Sequence, residues 1–193
     1  DLTKCTGKEL EDQVNGSKKV IINELGVEPL FVVAPMSEIN DKVINKFKKT
    51  HWAAKGGSAY KGYNSLSPTE TEWYHIVQKQ VISSITLDDM KGWVDHAIAN
   101  EKWVMITGHS CDFDDKSWEP VACSQWQELF EYISVTYNSS DYWWAGQNEI
   151  IKYLREKQAS SVKVLNSSGA KISLRLTHSL PTGIFDYPLL LKT

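Results

Sequence analysis

The run Pro29-Leu30-Phe31-Val32-Val33-Ala34-Pro35 narrows the choice of fold most, because an uncharged apolar stretch bracketed by prolines suits a strand buried on both faces. Strands of that kind belong to parallel sheets covered by helices, and the flanking sequence supplies the helices. Thr6 and Glu9 have the spacing of a capping box, Leu10, Val14 and Ile21 form an apolar stripe, and Gly26 stands where a helix would stop. Asn40 opens a second helical pattern with Val43, Ile44 and Phe47 on one side. His51-Trp52-Ala53-Ala54 then reads as a short strand, followed by a long loop over residues 55–68 that is rich in Gly, Ser, Tyr and Asn.

The same rhythm continues. Thr86 and Asp89 cap a helix whose apolar side is Met90, Trp93, Val94, Ala97 and Ile98, and residues 102–107 form the next buried-strand pattern. Ser124 and Gln127 are expected to open a further helix with Trp126, Leu129, Phe130 and Ile133 inward. A strand over 142–145 and an amphipathic helix over 147–157 complete the series. Alternating strands and helices predict an α/β unit over residues 1–160, a partial or distorted (β/α) barrel of parallel strands with flanking helices. Because a parallel sheet needs strands on both sides of its first helix, an opening helix implies earlier strands elsewhere, in an N-terminal segment or a partner chain. From residue 161 the pattern turns to alternation: 162–165, a turn at 166–169, 171–176 and 187–191 predict a small antiparallel β extension over 161–193.

Charge excludes one class of partner. The net charge is −3, with the Lys and Arg residues scattered, so nothing marks a nucleic-acid surface. There is no apolar run of about 18 residues, which rules out a spanning helix, and Asp1-Leu2-Thr3-Lys4 has no signal-peptide core. The spacing of Cys5, Cys111 and Cys123 is not that of a metal site; a Cys111–Cys123 bridge and a pair of buried thiols both fit. Eight Trp and eight Tyr are the notable excess, since flat rings with polar tips suit either a core or the apolar faces of sugars.

The segment Trp103-Val104-Met105-Ile106-Thr107-Gly108-His109-Ser110 would deliver His109 to the C-terminal end of a buried strand, the rim on which α/β barrels build their sites. Asp112, Asp114 and Asp115 follow, carboxylates that would favour a protonated imidazole able to act as a general acid. As a hard-metal loop, Asp112-Phe113-Asp114-Asp115 lacks the Gly and distal Glu of a calcium site, so a solvated acidic turn is the reading preferred. Trp118 stands in the same loop and Trp52 at the start of a strand; with Asp112 and Lys55 they are the candidate substrate contacts. His51, His75, His96 and His178 read as structural or surface residues. The chain contains no His-x-x-x-His, His-Glu-x-x-His, Gly-x-Ser-x-Gly or phosphate loop.

Taken in order, these segments resemble the polysaccharide deacetylase (NodB-homology, carbohydrate esterase family 4) domain over about residues 1–160. The likeness rests most on Met90-Lys91-Gly92-Trp93-Val94-Asp95-His96-Ala97-Ile98 followed by Trp103 to His109, which is similar to the family's catalytic-His motif. Phe31 to Asn40, Trp52 to Gly57 with Tyr63-Asn64, and Gln147 to Ile151 are similar to further family segments, and Asp186-Tyr187-Pro188-Leu189 to a β extension that follows some members. The resemblance implies a secreted or cell-surface hydrolase that removes acetyl groups from a polysaccharide. It also implies a divalent metal, often zinc, that polarises the acetyl carbonyl and activates water, an Asp as base, and His109 as acid.

Departures accompany the likeness. The family's Asp-Asp and His-x-x-x-His motifs would lie before Asp1, so no metal ligand is assignable here. Lys55 stands where many members have Arg, and Ala34-Pro35-Met36-Ser37 lacks the usual aromatic and Gly. A non-catalytic carbohydrate-binding or scaffold protein derived from the fold is the alternative. A glycoside hydrolase would need paired carboxylates across a cleft, which one loop carrying Asp112, Asp114 and Glu119 does not supply.

Overall fold

The computed structural model describes residues 1–57, 62–111, 118–169 and 171–190. Asp1 caps a 3-10 turn, Leu2–Lys4, and Thr6 begins a continuous helical stretch through a complete capping box with Glu9. This stretch is α1, Gly7–Glu11, a π-helical turn, Asp12–Gly16, and α2, Ser17–Leu25. The wider turn leaves carbonyls without their usual partners, and the Ser17 hydroxyl donates to those of Gln13 and Val14 at 2.6 and 3.1 Å. Gly26 ends the helix at φ 66, a left-handed conformation that a Cβ would strain.

Strand β1, Phe31–Val33, is parallel to β2, Ala53–Lys55, in the register Phe31 to Ala53. Between them α3, Asp41–Thr50, is capped by the Asn40 side chain and buries Val43 and Phe47. A second parallel pair joins β3, Lys79–Gln80, to β4, Ile106–Thr107, with α4, Leu87–Ala99, as the crossover. Strand β3 has no counterpart among the sequence expectations: Gln78, Lys79 and Gln80 give it no apolar signature. One bond, Ile76 N–H to the Ala54 carbonyl at 3.0 Å, carries the pairing from β2 to the segment that leads into β3. Asn64 joins the second pair from the side, exchanging backbone bonds with Trp103 and side-chain amide bonds with Val77.

Helix α5, Cys123–Thr136, packs on α4 and is followed by α6, Gln147–Ala159. No side chain caps α5, and it starts ahead of the expected Ser124, because Cys123 is tied to Cys111 and the preceding Val121 bridges Cys111. Residues 142–145 are not a strand, and their rings make aromatic contacts: Trp143 with Tyr153 and Tyr187, Trp144 with Phe130. Two apolar clusters hold the body together. One gathers Leu10, Leu30, Phe47, Trp73, Met105 and Ile151, and the other packs Val81, Met90, Val94, Leu129 and Ile133 between the second strand pair, α4 and α5.

The C-terminal part is an antiparallel hairpin of β5, Ser161–Ser168, and β6, Lys171–Thr177, and every described residue in it is exposed. Residues 187–190, expected to be a strand, pair with nothing among the described residues, but the chain does return to the body, where Phe185 is buried. The architecture is thus mixed α/β with small parallel pairs and one antiparallel hairpin. No closed barrel is formed among the described residues.

Candidate functional site

His109 stands one residue beyond Gly108, which follows β4, at the C-terminal end of a parallel strand, and it is exposed. Its Nε2 lies 3.3 Å from Nε2 of Gln80, the last residue of β3, an arrangement in which the amide N–H donates to the imidazole lone pair. The Trp118 ring meets it edge to face at 4.7 Å, and Trp118 is itself 57% exposed. An imidazole flanked by an amide and an indole on an open rim can exchange a proton with a molecule lying across it.

Three restraints hold the Trp118 loop there. The Cys111–Cys123 disulfide closes it, settling the choice between bridge and thiols. Val121 donates to the Ser110 carbonyl at 3.3 Å. The third restraint is Glu119, at φ 50, whose carboxylate accepts from the Ser83 backbone N–H at 3.1 Å and from the Ser83 hydroxyl. The hydroxyl first, then the backbone bond, holds the Glu119 carboxyl below its ordinary range. Gly108 provides clearance beneath the loop: a Cβ there would come within 2.8 Å of Trp126 Cζ2, so only glycine lets α5 approach this close to the rim.

Lys55 ends β2 and so also sits at the C-terminal end of a parallel strand. It is buried, its Nζ donates to the Ser37 hydroxyl at 2.7 Å, and burial lowers the pKa of its ammonium group from the ordinary value. Ser37 belongs to the turn Pro35–Ser37, in which Met36 and Ser37 both have φ near 60. Trp52 precedes β2 and therefore lies at the other end of that strand. It packs edge-on against Phe185 at 4.7 Å, and the Arg155 guanidinium donates to its carbonyl at 2.6 Å. The structure thus brings His109 and Trp118 together, sets Lys55 at a strand end of the same polarity, and puts Trp52 into a wall of packed rings. Asp112, Asp114 and Asp115 lie outside the described residues.

Neither a family model, nor a curated protein, nor a solved structure matches this chain. The site therefore has to be read from its own chemistry. Around His109 the described groups are one imidazole, one amide, one indole and a carboxylate already engaged by Ser83. Among the described residues no three His, Cys, Asp or Glu side chains come together as a cation would require. These groups do not make up a ligand set for a divalent ion.

Three of the remaining histidines have structural surroundings, and His75 is exposed. His51 is buried, its Nδ1 lies 2.9 Å from the Thr50 hydroxyl, and its carbonyl accepts from the Tyr74 hydroxyl. His96 stacks on Tyr63 at 4.3 Å, and His178 accepts from the Leu180 N–H in the turn after β6. Gln80 and Ser83 are the site residues that sequence reasoning missed. Both belong to a polar stretch without periodicity, and each meets its partner across about thirty residues of chain.

Proposed function

We propose that this chain carries part of a carbohydrate deacetylase domain, in which His109 donates a proton to the sugar oxygen or nitrogen that departs as the acetyl group is hydrolysed. The observation that carries the reading is the exposed imidazole at the end of β4, oriented by Gln80 and set edge-on to an exposed tryptophan. A flat ring beside a proton donor suits a sugar, whose apolar face can lie on the indole while a ring substituent reaches the imidazole. Lys55, at a strand end of the same polarity, would meet the anionic or hydroxyl groups of a polysaccharide chain. Asp112, shortly before Trp118 in the sequence, would be a further substrate contact, and Trp52 would serve the substrate only by shaping the wall behind β2.

The two parallel strand pairs are read as a portion of a distorted (β/α) barrel, the rest of which comes from an N-terminal segment or a partner chain. The resemblance also implies a divalent ion, zinc in the usual case, for which the described residues supply no ligand set. Its ligands and the Asp base would be residues outside this chain, and His109 acts on the departing group alone. The Cys111–Cys123 bridge supports a secreted or cell-surface setting, since such bridges persist in oxidising compartments.

The test is acetate release from acetylated xylan and from N-acetylglucosamine oligomers by the full-length gene product, with the His109→Ala variant alongside. Loss of a proton donor is expected to lower kcat by about 10²–10⁴-fold. Undiminished release by the variant removes His109 from the reaction. Retention of the polysaccharide without any release of acetate by the native protein gives the site to a non-catalytic carbohydrate-binding protein.

A further inference from the structure

Just beyond β1, a serine and a lysine meet in a turn whose backbone is held from several sides. Met36 and Ser37 both have φ near 60, a left-handed conformation that residues with a Cβ keep only under constraint. The Ser37 N–H donates to the Ala34 carbonyl at 3.0 Å, and the Gly57 N–H to the Ser37 carbonyl at 2.6 Å. A Cβ on Gly56 would collide with the Ile39 side chain, so the turn lies directly on the end of β2. Left-handed backbone held in this way gathers at active sites and ligand clamps.

What the turn positions is the Ser37 hydroxyl, 2.7 Å from Nζ of Lys55. The two differ in exposure: Lys55 is 6% exposed, whereas Ser37 is half-buried. Lys55 therefore reaches a substrate through Ser37. At that distance the pair works in two states. As an ammonium, Lys55 donates to the hydroxyl oxygen; as a neutral amine it accepts the hydroxyl proton. Burial, which lowers the Lys55 pKa, brings the second state within reach. In open α/β sheets ligands bind beyond the carboxyl ends of the strands, which is where β1 and β2 place this pair. The Met36 N–H is bonded to no described group and is available to an oxyanion forming at Ser37.

We propose that Ser37 and Lys55 form a serine–lysine dyad that hydrolyses carboxylic esters, with Ser37 as nucleophile and Lys55 as its base. The neutral amine takes the hydroxyl proton as Oγ bonds to the ester carbonyl carbon. The ester carbon–oxygen bond then breaks, and the alcohol departs with that proton. A water next gives its proton to Lys55 and attacks the acyl carbon. The bond to Oγ breaks, Oγ takes the proton back, and the carboxylic acid leaves. The dyad goes beyond the role given to His109 and does not rest on it.

Two assays on the full chain test it. One is reaction with a fluorophosphonate, which labels nucleophilic serines, the site being read by mass spectrometry. The other is hydrolysis of p-nitrophenyl acetate above the uncatalysed background over a pH series. The native protein is expected to carry the label on Ser37 and to hydrolyse the ester faster as pH rises, with a midpoint below the usual lysine range. Ser37→Gly removes the hydroxyl at a φ that glycine adopts freely, and should lose both label and hydrolysis while retaining the far-ultraviolet circular dichroism of the fold. Lys55→Arg keeps the positive charge but has no neutral form to act as a base, and should lower kcat/KM by about 10²–10⁴-fold. A native protein without label on Ser37 overturns the proposal, as does hydrolysis that persists in Ser37→Gly or in Lys55→Arg, or a native rate that does not rise with pH. The label reports Ser37 whatever His109 does in acetate release, so the two readings can fail separately.

Discussion

Phe185 meets Trp52 edge to face, with ring centroids 4.7 Å apart. The contact joins residues more than a hundred positions apart and brings the chain beyond the hairpin back into the first apolar cluster, where Ile184 also packs. The Arg155 guanidinium also lies 5.8 Å from the Trp52 ring and 4.3 Å from that of Trp73, which fixes α6 against the same wall. The segment after β6 is thus part of the body's packing through Ile184 and Phe185, whereas the described residues of the hairpin are all exposed.

Phe185→Ala is accordingly expected to destabilise the whole body. Emptying a buried phenylalanine site costs about 3–5 kcal/mol, which should lower the urea midpoint of the single unfolding transition. The same truncation at Val164, on the exposed hairpin, should leave a monomer's midpoint almost unchanged. A Phe185→Ala midpoint equal to that of the native protein would show that the tail does not dock.

His51 makes stability depend on pH. Burial first, then the positive charge of Lys18, lowers its pKa from 6.5 to about 4. The unfolded chain therefore binds a proton that the folded chain refuses between these values, and stability rises with pH across that window. The contribution is complete above about pH 6.5, declines as pH falls at up to about 1.4 kcal/mol per unit, and levels off below about pH 4. His51→Gln should flatten this part of the profile in urea titrations at a series of pH values. Parallel profiles for variant and native protein would assign the dependence to other groups.

The Cys111–Cys123 bridge closes a short loop, and bridging loops of this length stabilises by roughly 3 kcal/mol, chiefly through the unfolded chain. Dithiothreitol, or Cys111→Ser with Cys123→Ser, should lower the unfolding midpoint accordingly. It should also raise proteolytic cleavage within the loop that bears Trp118. Equal cleavage of the oxidised and reduced protein would mean that Glu119 and Val121 hold the loop without the disulfide.

What could be read from the sequence was local. The Thr6–Glu9 box, the Asn40 cap, the Thr86–Asp89 box and the Gly26 stop each depend on residues a few positions apart, and each forms. The paired strands around Phe31 and Ala53 form where the apolar runs are, but β1 is not buried on both faces: Val33 is 51% exposed. The failures share a cause. Residues 142–145 have strand composition but pair with no described strand, and β3 has a partner but no strand composition, because pairing partners are set by tertiary placement. For the same reason His109 could be located from its strand, whereas Gln80 and the Ser83–Glu119 contact, which orient it and its tryptophan, could not.

That contact predicts how the rim responds to acid. Ser83 lowers the pKa of the Glu119 carboxyl, so the bond is intact at neutral pH and weakens only as pH falls through the lowered value, below the ordinary carboxylate range. Once protonated, the carboxyl holds the N–H and hydroxyl of Ser83 less strongly, and Trp118 loses one of its three restraints. The His109 ring protons feel the neighbouring indole and should report the change by NMR. At neutral pH, Ser83→Ala should move their resonances in the direction that Trp118→Ala moves them, and by less, because the backbone N–H of residue 83 still donates. Resonances that shift with Trp118→Ala but not with Ser83→Ala would show that the disulfide and Val121 suffice to keep the indole on the imidazole.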